Sequence, residues 1–241
     1  MRFTSLLATA AVASIFALAS HTAHAQATIY YNFDAATPTT NTSSLTASAL
    51  TQGNNNGTTT LITTASVSTG YTQSLNGNAV ASGSGNAGAA AFIGALDINT
   101  STYFQFSLTA NAGFRANVTQ IGFGERSTGT GPQAYSLRSS LNNYATEILG
   151  GTITNDAAWR YFAPSAFNAT STNGGTITFR LYGYNGAGNA QVNTANFRID
   201  DLSIVATAQA VSAAPEPGAL GLLLGAAPLA IGIVVRRRMV R

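Results

Sequence analysis

Apolar and polar side chains alternate strictly in several stretches of this 241-residue chain. In Thr102 to Thr109, Phe104, Phe106 and Leu108 share one face while Tyr103, Gln105 and Ser107 share the other. Ile177, Phe179 and Leu181 alternate with Thr178, Arg180 and Tyr182, and Ile29, Tyr31 and Phe33 with Tyr30, Asn32 and Asp34. A period of two marks half-buried strands. Further strands are predicted at Leu61 to Val67, Ala89 to Leu96, Val118 to Gly124, Ala134 to Arg138, Glu147 to Thr152 and Phe197 to Val205. Clusters of Gly, Asn, Ser and Thr separate them, such as Ser127 to Gly131 and Asn173 to Gly175, and supply turns. No helical apolar period and no 20–50-residue repeat interrupts the pattern. The expectation is all-β: a two-sheet antiparallel β-sandwich, jelly-roll-like, of roughly nine or ten strands. Thr37 to Gly57 has few large apolar residues and is expected to be a long surface loop.

The two ends follow other rules. Met1-Arg2, an apolar stretch from Leu6 to Ala19, and Ala23-His24-Ala25 form a secretory signal peptide, with cleavage expected after Ala25. At the other end Pro215-Glu216-Pro217 precedes an uncharged run from Gly218 to Val235 and then Arg236-Arg237-Arg238. Eighteen helical residues approach the ~30 Å hydrocarbon thickness of a bilayer. The arginines would hold that end in the cytoplasm, leaving the preceding chain outside. The predicted organisation is a signal peptide (1–25), a β-sandwich ectodomain (26–208), a linker (209–214) and a C-terminal segment (215–241) with a transmembrane helix (218–235).

Removing the ends changes the charge. The formal +3 of the whole chain comes from the end segments; the body carries six arginines against seven acids, a net of −1. No basic run remains to attract nucleic acid. The chain has no Cys and no Lys, and both histidines, His21 and His24, leave with the signal peptide. A body without those residues cannot build a Ser-His-Asp or Cys-His pair, a typical zinc site or a Schiff base. What remains is carboxylate chemistry, oxygen-ligated metal and aromatic surface.

Three constellations carry that chemistry. In Phe197 to Val205 the apolar phase slips by one residue at Asp200-Asp201, as a β-bulge would make it do. With Asp34 from the first strand, those carboxylates form an oxygen-rich corner suited to structural Ca²⁺. The plainer alternative pairs Asp200 with Arg198 or Arg180 and leaves Asp201 to cap a turn. Tyr30, Tyr103, Tyr182 and Tyr184, with Trp159 as a core anchor or further platform, are expected on outer faces, where rings stack on sugars. Taken singly, each tyrosine reads as an ordinary strand residue, and the ligand reading rests on the set. Glu125, Glu147 and Asp156 are candidates for paired hydrolytic carboxylates, though no spacing enforces a pair and Glu125-Arg126 reads as an exposed turn.

The tail Pro215-Glu216-Pro217, apolar span and arginine cluster resembles the PEP-CTERM sorting signal. The commonest form of that signal has Val before and Ser or Thr after the tripeptide, where this chain has Ala214 and Gly218. The segments AYSLRSSLNNYATEILGG (134–151) and NFRIDDLSIV (196–205) resemble parts of the jelly-roll ectodomains carried on such tails. The resemblance implies that a membrane transpeptidase of the exosortase type reads the tail, that the protein is that enzyme's substrate, and that the setting is exopolysaccharide and biofilm. The expected function is an exported, membrane-anchored, then surface or matrix module that binds glycan or serves structurally. A polysaccharide hydrolase and an ice-binding or adhesive protein are the alternatives. Thr58 to Thr64 invites the last, without a regular Thr-x-Thr ladder.

Overall fold

The computed structural model describes residues 26–57, 59–71, 84–91, 94–162, 165–186 and 194–211. These form two antiparallel sheets, as the alternation predicts. In sheet A, β7 (Phe114–Ser127) and β13 (Phe197–Ala210) pair at the centre. The other edge of β13 receives β1 (Gln26–Tyr31) and β5 (Asn86–Ala89), and β5 carries β4 (Ile62–Thr63). The other edge of β7 receives β10 (Arg160–Phe162) and β11 (Ala169–Thr170). Sheet B runs through β6 (Tyr103–Ala110), β12 (Thr176–Tyr184), β8 (Ala134–Ser139) and β9 (Glu147–Thr152), with β2 (Leu45–Ala47) and β3 (Thr51–Gly53) both on the edge of β6.

The core lies where the inward parities of the two sheets meet. Phe104, Phe106 and Leu108 are buried and pair in register with Leu181, Phe179 and Ile177. The Phe106 and Phe179 rings stack 5.5 Å apart, and the Phe104 ring lies 5.1 Å from that of Phe197 in the other sheet. Each fully buried side chain of this size contributes roughly 1.5–3 kcal/mol, and each ring pair about 0.5–1.5 kcal/mol more. Because the chain has no cysteine, no disulfide supplements this packing.

The phase slip at the two aspartates is a bulge. The register of β13 against β7 shifts between Asp200 and Ser203, and Asp201 takes a left-handed φ of 48°. Ile199 and Leu202 both end in the core, although a regular strand would put them on opposite faces.

Several expectations are corrected. Thr37 to Gly57 is not simply a surface loop: Leu45 and Leu50 are buried to 1 % exposure, and β2 and β3 add to sheet B. One apolar residue every few positions suffices for short strands on an already formed edge, where pairing with β6 supplies the hydrogen bonds. The strand expected at Ala89 to Leu96 lies earlier, at β5, in an Asn-Ala-Gly-Ala sequence of poor strand propensity. Burial of all four residues and pairing with Phe197–Ile199 override that propensity. Only Ile62–Thr63 of the expected Leu61 to Val67 strand pairs, and Val67 is exposed. β10 and β11 are too short to show an alternation. Glu125-Arg126 is not a turn but lies within β7, with Glu125 facing inward beside Phe123 parity. β13 continues through Gln209 and Ala210, the start of the expected linker.

No helix among the described residues is long and apolar enough to cross a membrane. The signal peptide with Ala23 and Ala25, the 218–235 span, Pro215-Glu216-Pro217 and Arg236-Arg237-Arg238 lie outside the described residues.

The buried role of Leu50 gives a direct check. Leu50→Ala should cost about 2–5 kcal/mol of unfolding free energy, whereas Leu141→Ala, at a side chain 50 % exposed, should cost under about 0.5 kcal/mol. Equal denaturation midpoints for the two variants would return 37–57 to the surface.

Candidate ligand-binding site

The outward parity of sheet B is polar, and at one end it gathers tyrosine around an arginine. Tyr103 and Gln105 of β6 stand opposite Tyr182 and Arg180 of β12. The Arg180 guanidinium lies 4.3 Å from the Tyr103 ring centre and 4.1 Å from that of Tyr144. Its Nε donates to Gln105 Oε1 at 2.9 Å and its Nη1 to the Tyr182 hydroxyl at 3.4 Å. The Tyr182 ring meets Tyr103 edge-on at 5.3 Å, and its hydroxyl donates to the Ile98 carbonyl. Gly53 of β3 stands opposite Tyr103, and any side chain there would collide with the ring.

Tyr144 reaches this group from the loop after the short 3-10 turn Ser140–Asn142. Asn143 and Tyr144 both hold left-handed backbones, with φ of 56° and 61°. Such a conformation is costly for a bulky residue and needs support from its surroundings. The support is Arg138, whose Nη1 donates to the carbonyls of Tyr144 and Ala145, together with the Tyr144 amide bonded to the Ser139 carbonyl. Farther along the same face, hydroxyls pair across strands: Ser107 with Thr178 at 2.9 Å and Thr109 with Thr176 at 2.8 Å.

The expected tyrosine set is therefore divided. Tyr103 and Tyr182 belong together, Tyr184 lies two residues farther along β12, and Tyr30 is on sheet A, hydrogen-bonded to Asp201. Tyr182 is fully buried beneath its neighbours, so Tyr103 and Tyr144 supply the half-buried rings at the surface. Trp159 is buried outside the main core, and its Nε1 donates to the Ser66 carbonyl at 3.0 Å. Tyr144 and Arg180 escaped the tyrosine reading. Arg180 sits at the same parity as Tyr182, which was a usable signal, whereas a loop tyrosine carries none.

The outward face of sheet A is closed by its own chain. Residues 64–71 cross it, held by Trp159 on Ser66, by Asn86 and Arg198 on the Ala65 carbonyl, and by the Tyr71 hydroxyl on Asp201 at 2.6 Å. Gly122 and Gly124 of β7 leave room for the Tyr161 and Tyr71 hydroxyls, which a side chain at either position would displace.

The aspartate corner lies under this cover. The Asp201 carboxylate accepts the hydroxyls of Tyr30 and Tyr71, and Asp200 Oδ1 accepts the Asp201 amide. Asp200 forms no ion pair with Arg198, which bonds Asn86 Oδ1 at 2.6 Å, or with Arg180, which is in the other sheet. Burial, with smaller repulsion from Asp201 and Asp34, pushes the Asp200 carboxyl up to about 7. The Ser68 hydroxyl is close enough to pull it down, yet neither Ser68 Oγ nor Asp200 Oδ2 makes a well-formed hydrogen bond. Asp34 is exposed at a cleft of about 340 Å³ lined also by Thr60, Thr63, Thr64 and Ser84. The Ser84 amide and hydroxyl hold its carboxyl below the usual range. Among the described residues no three His, Cys, Asp or Glu side chains come together as metal ligands.

The remaining acids occupy different environments. Asp156 forms a two-pronged pair with Arg160 at 2.7 and 2.8 Å on the surface. Glu125 is buried, and desolvation, opposed by Arg160, pushes its carboxyl up to about 7. Glu147 is exposed on β9 and folds over Gly150.

These carboxyls fix a sign for the pH dependence of stability. In the unfolded chain Asp and Glu lose their protons near pH 4, whereas folded Asp200 and Glu125 keep theirs until about 7. Between those values the native state holds more protons, so stability falls as pH rises and the contribution is lost above about 7. The melting temperature should drop from pH 5 to pH 8, and Asp200→Asn and Glu125→Gln should each flatten that slope. A melting temperature that rises over this interval would contradict the burial of both groups.

No family model matches the chain. No curated protein matches it either. Among solved structures, the K1 cleaved adhesin domain of Lys-gingipain from Porphyromonas gingivalis W83 is similar at 14 % identity and a TM-score of 0.32, over 74 % of this chain and 97 % of that one. The K3 cleaved adhesin domain of the same protein is similar at 11 % identity and a TM-score of 0.25, over 50 % of this chain and 73 % of that one.

Proposed function

We propose that this chain is an exported surface or matrix module whose β-sandwich, read as jelly-roll-like, binds glycan on the outward face of sheet B. The observation that carries the reading is the Tyr103–Arg180–Tyr144 stack, with Gln105 beside it and hydroxyl rows farther along the face. Aromatic rings accept the apolar faces of sugars, while amide, guanidinium and hydroxyl groups exchange hydrogen bonds with sugar hydroxyls. Two rings locked on an arginine lose little freedom when a ligand arrives, which favours binding. In this reading the signal peptide directs export and the C-terminal helix anchors the chain in the membrane. An exosortase-type transpeptidase then acts at Pro215-Glu216-Pro217, and the binding partner is the exopolysaccharide around the cell.

The full chain should be retained saturably on the producing organism's own exopolysaccharide. Tyr103→Ala combined with Tyr144→Ala should lower the apparent affinity at least about tenfold, the scale of losing roughly 1.4 kcal/mol of contact. Retention unchanged by that pair of substitutions would remove sheet B as the binding face.

We also propose that the Asp200 corner holds a structural Ca²⁺. Its support is the pair of buried oxygens without a well-formed hydrogen bond, Asp200 Oδ2 and Ser68 Oγ. Oxygen donors of this kind suit calcium, and a cation bound only to the native state raises its stability. Millimolar calcium should raise the melting temperature over that in chelator, and Asp200→Asn should erase the difference. Identical melting curves in calcium and chelator would rule the site out.

A further inference from the structure

The outward face of sheet B combines a fixed positive charge with no ion-pair partner for it among the described residues. Arg180 and Arg138 stand directly opposite each other on β12 and β8. Like charges in that position repel, and a sheet ordinarily avoids the pairing. Neither arginine forms an ion pair among the described residues. The nearest acid in the ladder, Glu147, stands opposite Arg138 on β9, but its carboxylate lies over Gly150. Arg138 uses Nε on Ser136 Oγ and Nη1 on the carbonyls of Tyr144 and Ala145, so it acts as a strut, and its Nη2 makes no hydrogen bond to any described residue.

Arg180 differs in its tyrosine rings. Two rings lie against its guanidinium, and Nε and Nη1 are engaged with Gln105 and Tyr182. The Nη2 donors make no hydrogen bond to any described residue. Stacking covers the faces of a guanidinium and leaves its edge available, and that edge matches an oxyanion. The contacts that hold Arg180 also remove most of its rotamer freedom before a ligand arrives.

We infer that the glycan bound at this face is acidic, and that a sugar carboxylate of the uronate class seats on the free Nη2 edge of Arg180, with Arg138 adding charge from the adjacent strand. This rests on the glycan-binding reading and names its ligand class. Tyr103 and Tyr144 take the sugar rings flanking the carboxylate. Gln105, already bonded to Nε, fixes the direction in which the guanidinium edge points. Recognition of this kind is partly electrostatic, so it weakens as salt rises.

The test compares a polyuronate with the same polymer after its carboxyl groups have been reduced to alcohols. Both are titrated against the full-length chain in mild detergent, at about 20 mM and about 500 mM salt, where the Debye length differs several-fold. The expected result is at least about tenfold tighter binding of the polyuronate at low salt, narrowing at high salt. Arg180→Gln should bring its affinity down to that of the reduced polymer. Arg180→Lys, which keeps the charge but not the fork, should retain the salt dependence with lower affinity, and a melting scan of each variant separates lost binding from lost folding. Equal affinity for the two polymers, unaffected by Arg180→Gln, would overturn the acidic preference and leave glycan binding standing. Retention of neither polymer by the folded chain would overturn both. A polyuronate preference that survives intact in the folded Arg180→Gln variant would place the carboxylate elsewhere and overturn the assignment.

Discussion

The pairing of β7 with β13 is the constraint on which the rest of the molecule depends. Each strand is 14 residues long, and together they form the centre of sheet A. Every other strand of that sheet except β4 attaches directly to one of the two. The pair joins residues about eighty positions apart, so little local sequence can hold it. It forms because Ile121, Phe123, Ile199 and Ile204 all need burial on one side. The bulge at Asp200–Asp201 keeps Phe197, Ile199, Leu202 and Ile204 of β13 on that side, and the displaced aspartates become the outward corner.

From this arrangement the two outward faces take different roles. On sheet A, Gly122 and Gly124 bring Tyr161 and Tyr71 down onto the strands, and the 64–71 segment closes over Asp200, Asp201 and Arg198. Charged groups are buried there at a cost, which is why the Asp200 carboxyl is pushed up to about 7. On sheet B, Arg180 stays half-buried against the rings of Tyr103 and Tyr144, with Gln105 and Tyr182 bonded to it. One face is closed by its own chain, and the other is a polar surface built around one oriented arginine.

Strands with a complete alternation were legible in advance. β6, β8 and β12 lie where the period of two puts them, and the slip at Asp200-Asp201 disclosed the bulge. β5 was not legible, because Asn86 to Ala89 has no alternation and is a strand only through burial and pairing with β13. Leu45 and Leu50 were isolated apolar residues in a polar stretch, and only the edge of β6 made them core. Of the candidate site, Tyr103 and Tyr182 shared a parity that could be read. Tyr144 could not be, because its position depends on two left-handed residues and on Arg138 from another element.

The amino-acid sequence by itself determined the class of the fold, through the period of two, and the chemistry open to residues 26–214, which hold no Cys, Lys or His. It also carried the resemblance of the two ends to export and sorting segments, since such signals are linear and need no partner strand. Tertiary structure decided which outward face residues 64–71 cross, which tyrosines meet, and which carboxyls are buried. Those outcomes depend on contacts between residues far apart in the chain. Tyr71 meets Asp201, Gln105 meets Arg180, and Asn86 meets Arg198 only after both sheets have formed. Periodicity records which way a side chain points from its own strand, and packing determines what it finds there.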